Sequence, residues 1–269
     1  MAEPNFNEGS VDKPFGVVIN AYLAKAAQIG RASEIVGPFT ASVDPDSNSP
    51  FRNYAIPIEG ATPQGYDVAN LIQWFSERSR KPRLEYVSDA APAVEPALLN
   101  AGFEVEGRLP LMTLRRGKSK HRSGIDGFEL LCVTEEEALR SVAEAQNEAY
   151  GAGEVSEADV ARLCRNVHRG GIVVAARELS SGRFVGAGLY TPPQDGVTEI
   201  AAIGTIPAYR RQGIAAAITA QLVESALSRN IELPFLMAAH SAEQGIYERI
   251  GFEVRASILH MSFPQASSG

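Results

Sequence analysis

The fold of this chain is indicated by one stretch, Thr198-Glu-Ile-Ala-Ala-Ile-Gly-Thr-Ile-Pro-Ala-Tyr-Arg-Arg-Gln-Gly-Ile-Ala-Ala-Ala-Ile218. Residues 199–206 are apolar and suited to a β-strand, and Pro207 ends that strand. From Ile214 to Ser228, apolar residues recur at helical spacing. The loop Arg210–Gly213 therefore opens a helix, whose first N–H groups lack intrahelical partners and favour an anion such as pyrophosphate.

Arg210, Gly213 and Ala215 fit the pattern Arg/Gln-x-x-Gly-x-Gly/Ala, which resembles the acetyl-coenzyme A signature of the GCN5-related N-acetyltransferases (GNATs). A second match at Arg183, Gly186 and Gly188 lies in a predicted strand and lacks a following helix, so we interpret it as accidental. Downstream, Gly245-Ile-Tyr-Glu-Arg-Ile-Gly-Phe252 resembles the family's Leu-Tyr-Glu-Lys-Leu-Gly-Phe helix and its exit into a strand.

The resemblance covers residues 127 to 263 and implies an α/β fold with a mixed, mostly antiparallel central sheet flanked by helices. The patterns predict strands at 128–133, 172–177, 184–190 and 232–239, and helices at 135–150 and 157–167. Thr134 with Glu137, and Ser156, are the predicted helix caps. We predict two acyl-CoA N-acyltransferase-like domains: residues 1–115, a basic linker at 116–126, and the coenzyme-binding domain at 127–269.

The N-terminal domain is expected to be a degenerate copy. A helix ended by glycine and followed by Phe-Glu-Val occurs at Gly102 and again at Gly251. Its strand at 53–58 and helix at 68–75 come in the family's order, but an aspartate stands at the helix start and Leu98 replaces Tyr247. The alternative is an unrelated small α/β domain with the same helix exit.

Composition narrows the function. The 269 residues carry a formal net charge of −7, which argues against nucleic acid as a partner. No window is apolar enough for a membrane span and the N-terminus lacks a signal core, so we expect a cytoplasmic protein. Two cysteines and four scattered histidines fit neither a disulfide framework nor a metal site, and we predict no metal.

The resemblance implies roles for individual residues in acetyl transfer from acetyl-CoA to a primary amine. Glu199 is the candidate general base or, alternatively, an exposed strand carboxylate; Tyr247 is the candidate general acid or a core aromatic. Tyr209 either stacks on the coenzyme or covers the loop. The residues implied in coenzyme binding are Ile203, Gly204, Thr205, Arg210, Arg211, Gln212, Gly213, Ile214 and Ala215. Gly204 would mark a bulge or a close backbone approach, or simply fit a tightly packed strand.

The acceptor is expected to be a small molecule or peptide, and the sequence leaves its identity, the acyl chain length and the oligomeric state open. The alternative function is a noncatalytic acyl-CoA sensor.

Overall fold

The computed structural model describes residues 13–114, 124–239 and 241–264. The chain divides into two compact units, residues 1–108 with 256–269 (unit 1) and residues 109–255 (unit 2). The predicted linker at 116–126 lies largely outside the described residues. In the described part, no helix is long and apolar enough to cross a membrane.

Unit 1 holds the first elements of the chain, and its strand order is β1-β2-β3-β4-β11. Helix α2 covers the predicted helix at 68–75, and β3 lies within the predicted strand at 53–58. The elements are α1 (Phe15–Ala26), β1 (Ala32–Val36), β2 (Phe39–Val43), β3 (Tyr54–Pro57), α2 (Gly65–Glu77), β4 (Arg83–Val87), α3 (Val94–Asn100) and β5 (Glu104–Leu114), which continues into unit 2.

Unit 2 has the strand order β5-β10-β9-β8-β7-β6. Every strand and helix predicted here is present, with ends shifted by at most a few residues. The elements are β6 (Phe128–Cys132), α4 (Glu136–Tyr150), α5 (Glu157–His168), β7 (Ile172–Glu178), β8 (Phe184–Tyr190), β9 (Val197–Thr205), α6 (Ile214–Ser228), β10 (Leu233–Met237), α7 (Ser241–Ile250) and β11 (Phe252–Ser262), which continues into unit 1.

The order β-β-β-α-β-α-β occurs twice, as β1 to β5 and again as β7 to β11. The last strand of each series pairs with the fourth strand of the other: β5 lies antiparallel to β10, and β11 lies antiparallel to β4. The compact units therefore do not follow the predicted boundaries at 115 and 127, because residues 256–262 belong with unit 1.

The sheet of unit 2 is covered on both faces, as strand β7 shows. Ile172, Val174 and Ala176 share a buried cluster with residues of α6 and α7. Val173 and Ala175 belong to a second cluster with residues of α4 and α5. Alternate side chains of a strand point to opposite faces, so β7 is apolar over residues 172–176.

The two helix caps predicted in this unit have different outcomes. Ser156 caps α5 in a capping box with Asp159, as its position predicts. The predicted capping box of Thr134 with Glu137 is wrong, because α4 begins after Glu135 without a side-chain cap and the Thr134 hydroxyl instead donates to Glu135 Oε1 at 3.4 Å. Glu136 and Glu137 in the first turn still favour this helix start through the helix dipole.

Candidate active site

The start of α6 is built by two left-handed residues. Arg211 has φ +65° and Gly213, the N-cap residue, has φ +84°, a conformation that glycine adopts without a Cβ penalty. No side chain caps the helix. Within the described part of the chain, the backbone N–H groups of residues 211–216 donate no hydrogen bond, and the first one made is from Ala217 to the Gly213 carbonyl at 3.0 Å. The helix thus begins with a group of N–H donors that have no protein acceptor.

Arg210 lies next to this group, and two backbone carbonyls hold its guanidinium. Nε donates to the Thr205 carbonyl at 3.2 Å, and Nη2 donates to the Ala149 carbonyl at 2.8 Å. The side chain therefore joins the end of β9 to the last turn of α4, a partner 61 residues away in sequence. Arg211 is exposed, as Arg210 is.

Tyr209 packs on the protein. Its hydroxyl donates to Glu178 Oε2 at 3.1 Å, and its ring lies edge-on to Phe128 with centroids 6.1 Å apart. These contacts favour the covering role among the two that the sequence leaves open.

Strand β9 carries a bulge near its C-terminal end, upstream of this loop. Its pairing with β8 shifts register between Leu189↔Ala201 and Ala187↔Gly204, and Ala202 has φ +53°. The buried Gln146 of α4 donates from Nε2 to the Ala202 carbonyl at 3.0 Å. The bulge thus lies at residues 202–203, and Gly204 packs closely against α4, as expected of a glycine in a tightly packed strand. A Cβ placed on Gly204 would lie 3.0 Å from the Ala149 Cβ.

Strands β9 and β10 pair over a short length only. Their parallel register runs from Leu233↔Val197 to Phe235↔Glu199, whereas β9 continues to Thr205. Beyond that pair β10 keeps its register with β5 on its other side. On the β10 side, residues 200–205 have no registered strand among the described residues. An extended chain containing amide groups could pair with such an edge.

Glu199 stands at the last registered pair, where the two strands begin to separate. Thr191 fixes its backbone: the Glu199 N–H donates to Thr191 Oγ1 at 3.1 Å, and the Glu199 carbonyl accepts from the Thr191 N–H at 2.9 Å. The residue is half-buried. The structure thus places the predicted base at the closed end of the gap between β9 and β10.

Tyr247 lies on α7, which follows β10. Its side chain is 7% exposed, and its ring lies edge-on to Phe252 with centroids 6.1 Å apart. Burial raises the pKa of the phenol above its ordinary value, and the Glu243 carboxylate and Tyr150 raise it further. The phenol is therefore protonated at neutral pH, the form that a general acid requires.

Two residues near Tyr247 were missed by the sequence reasoning. Glu243 lies one helical turn before it, and its Oε2 accepts a hydrogen bond from the Ala239 N–H at 2.8 Å. The ring of Tyr150, the last residue of α4, lies 3.4 Å from the position of a Gly204 Cβ. Desolvation raises the pKa of Tyr150 to about 12, with a smaller contribution from Glu243. Glu243 and Tyr247 are four residues apart on one helix, a spacing that predicts neighbouring side chains. No sequence pattern points to Tyr150.

The sequence predicts no metal site, and the side chains that could bind a metal ion are those of His, Cys, Asp and Glu. Across residues 13–114, 124–239 and 241–264, no three of them form a group that could hold a metal ion.

Comparison with known proteins identifies related sequences and folds. Residues 138–252 match the model of the acetyltransferase (GNAT) family. A GCN5-related N-acetyltransferase from Kribbella flavida is 22% identical and superposes with a TM-score of 0.78 over 95% of this chain and 98% of that one. A GCN5-related N-acetyltransferase from Sphaerobacter thermophilus is 15% identical, with a TM-score of 0.65 over 85% and 82% of the two chains.

A tandem GNAT protein from the clavulanic acid biosynthesis pathway is 13% identical, with a TM-score of 0.62 over 96% of this chain and 91% of that one. No curated protein matches the chain. At these identities the likeness to solved structures shows the fold, which extends over both units.

Proposed function

We propose that the chain transfers an acetyl group from acetyl-CoA to a primary amine of a small molecule or peptide, because residues 138–252 match the model of the acetyltransferase (GNAT) family. The amine would attack the thioester directly while both substrates are bound. The observation that carries this proposal is the unsatisfied N–H group at the start of α6 beside the open edge of β9.

The coenzyme would bind in two parts. Its diphosphate would accept hydrogen bonds from the N–H groups of Gln212, Gly213, Ile214 and Ala215, where the helix dipole adds favourable charge. The exposed Arg211 would contribute a cation, while Arg210 would act through its charge and by holding the loop. The pantetheine arm would lie along Ile203, Gly204 and Thr205 and pair with their backbone.

The reaction needs a base that deprotonates the acceptor ammonium and an acid that protonates the leaving thiolate. An alkyl ammonium has a pKa near 10, so Glu199 would take its proton and leave a nucleophilic amine. The amine nitrogen then bonds to the thioester carbon, and the oxyanion is stabilised by backbone N–H groups of residues 203–205. When the C–S bond breaks, the sulfur takes the electron pair and then the phenol proton of Tyr247. The nitrogen loses its extra proton to solvent as the amide forms, and the tyrosinate regains a proton from solvent.

We also propose that residues 1–115 are a degenerate GNAT-like domain, joined by the linker 116–126 to the coenzyme-binding domain 127–269. The repeated element order and the left-handed glycines at both helix exits support this, with φ +91° at Gly102 and +117° at Gly251. Leu98 is buried at the position that corresponds to Tyr247, so this half lacks the acid. The cytoplasmic location inferred from the sequence stays a prediction.

Calorimetry and turnover test the function together. Titration with coenzyme A and acetyl-CoA should show binding, and free thiol should appear when acetyl-CoA is mixed with a library of primary amines. Absence of coenzyme binding would reject the proposal. Binding without thiol release from any amine would favour the acyl-CoA sensor.

Two variants then test the roles. We expect Tyr247→Phe to retain acetyl-CoA affinity and to lose turnover by roughly 10²- to 10³-fold, the contribution typical of a general acid. Tyr66→Phe, on the exposed side of α2, is the control. Full turnover in Tyr247→Phe would contradict the assignment.

For Glu199→Gln we expect a loss of similar size at neutral pH that shrinks as the pH approaches about 10, because the amine then deprotonates without help. A pH-independent loss would mean that Glu199 does not act as the base.

A further inference from the structure

The last turn of α4 is fixed on the bulged part of β9 by three contacts. Gln146 donates to the Ala202 carbonyl at 3.0 Å, and the Ala149 carbonyl accepts from Arg210 at 2.8 Å. Between these two hydrogen bonds, Ala149 packs against Gly204, where an added Cβ would lie 3.0 Å from the Ala149 Cβ. The helix end therefore has a set position relative to the strand.

Tyr150 follows directly and is the last residue of this helix. Its Cε2 and Cζ atoms lie 3.4 Å and 3.5 Å from the position of a Gly204 Cβ, so the ring lies against the strand backbone. The residue is nevertheless 59% exposed, an unusual degree for a tyrosine in such close contact with a strand. One side of the ring contacts β9, and the rest borders open space.

Helix α7 lies within electrostatic range of this ring. The Glu243 carboxylate acts electrostatically on both the Tyr150 and the Tyr247 phenols, and Tyr150 also acts on Tyr247. Charges in a protein act strongly only over short separations. Tyr150 is thus in contact with the strand at Gly204 and in the neighbourhood of Glu243 and Tyr247.

We propose that the Tyr150 ring determines the length of the acyl group, admitting acetyl and blocking longer chains. This inference rests on the proposed function, since it assumes a thioester held along residues 203–205. The helix that carries the ring is held beside that backbone, because hydrogen bonds join α4 to the Ala202 carbonyl and to Arg210 on either side of Gly204. A longer acyl chain directed along residues 203–205 toward α4 would therefore meet the ring.

Binding of acyl-CoA without acceptor tests the inference independently of turnover. Calorimetry would give the dissociation constants of coenzyme A, acetyl-CoA and hexanoyl-CoA for the full chain and its variants. The wild type should bind acetyl-CoA more tightly than hexanoyl-CoA. In Tyr150→Ala the ratio should move by about tenfold toward hexanoyl-CoA, because the freed space buries the added methylenes.

Three further variants separate the explanations. Tyr150→Phe keeps the ring and should keep the wild-type ratio, whereas Tyr150→Trp enlarges the wall and should weaken acetyl-CoA relative to coenzyme A. Tyr66→Ala removes an equally exposed tyrosine from α2 and should change nothing.

An unchanged ratio in Tyr150→Ala, or a Phe variant that behaves like Ala, would overturn the inference while leaving the proposed function intact. Failure of the wild type to bind any of the three coenzymes would overturn both.

Discussion

Helices α2 and α6 each follow the third strand of the repeated β-β-β-α-β-α-β order, and their first turns differ. In α2 the Gln64 N–H donates to Asp67 Oδ2 at 2.8 Å, and the Gln64 side chain accepts from the Asp67 N–H in a capping box. In α6 the corresponding positions are Gly213 and Ala216, which have no side chain able to accept. One helix start satisfies its own donors, and the other leaves them available.

This difference bears on how a binding site is lost or kept in a shared fold. A carboxylate in the first helical turn stabilises the helix through the same N–H groups and dipole that would attract a phosphate. The two uses compete, because the Asp67 carboxylate accepts from the Gln64 N–H at the N-cap and would repel a second anion there. The first turn of α6 lacks the stabilisation that a side-chain cap gives. The proposed diphosphate would accept hydrogen bonds from its free N–H groups.

The largest effect should come from giving α6 the cap of α2. Ala216→Asp places a carboxylate three residues after the N-cap, as Asp67 stands in α2. We expect coenzyme A affinity to fall roughly 100-fold, the effect of adding a like charge within a few ångströms of a diphosphate. The free energy of unfolding should stay level or rise by up to about 1 kcal/mol. Calorimetry and urea unfolding would measure the two quantities.

Ala216→Asn is the matched control for this prediction, since it adds the same volume without the charge. Its coenzyme affinity should fall far less than that of the Asp variant. Equal affinities in the two variants would mean that no anion binds at this helix start, and the contrast between α2 and α6 would then lose its functional meaning.

A second contrast concerns the fourth strand of each series. Strand β10 is largely apolar, whereas β4 begins with Arg83, whose side chain is fully buried and pairs with Glu85 and, at 2.7 Å, with Glu106. Burial raises the pKa of Glu106, but hydrogen bonds from Ser262 and Arg83 outweigh it and lower the pKa from 4.5 to about 2. Among the described residues, the buried charged side chains, Arg83 and Asp44, therefore lie in unit 1.

The sign of the pH effect follows from that shift. Because the pKa of Glu106 is lower in the folded state, its stabilisation is present above pH 4.5 and disappears as the pH falls toward 2. The Glu106 side chain is 29% exposed, so we expect only about 1–2 kcal/mol after solvent screening. Glu106→Gln should thus lower the free energy of unfolding at pH 7 and match the wild type near pH 2.

Urea unfolding across this pH range is the measurement, with the exposed Glu104→Gln on the same strand as control. A Glu106→Gln deficit that persisted unchanged at the lowest pH would show that the residue contributes through packing instead of charge.

Much of the secondary structure follows from local pattern. The bounds of α6, the Ser156 cap of α5 and the glycine exits at Gly102 and Gly251 each depend on residues within one or two turns. Such features are encoded by adjacent side chains, which compete only with nearby backbone groups.

Contacts between residues that are far apart along the chain could not be predicted from the sequence. The resemblance implies that Arg210 adds charge near the phosphates, and the structure shows in addition that it bonds the Ala149 carbonyl, a partner that no local pattern specifies. The bulge at Ala202 carries an alanine with φ +53°, which nothing in its neighbours predicts. The pairing of β5 with β10 and of β11 with β4 likewise depends on tertiary packing and not on strand propensity.

The smallest effect should come from removing the cap of α2. Asp67→Ala deletes the carboxylate that accepts from Gln64 and lies against Gly37, where a Cβ would be 2.8 Å from Asp67 Oδ1. We expect the free energy of unfolding to fall by about 1 kcal/mol. Asp67→Asn, which keeps an acceptor oxygen, should lose less. Coenzyme affinity should be the same in both variants and the wild type, because this helix start lacks the basic loop that precedes α6. A change in that affinity would show that the first turn of α2 takes part in binding, and the two helix starts would then be alike in use despite their different caps.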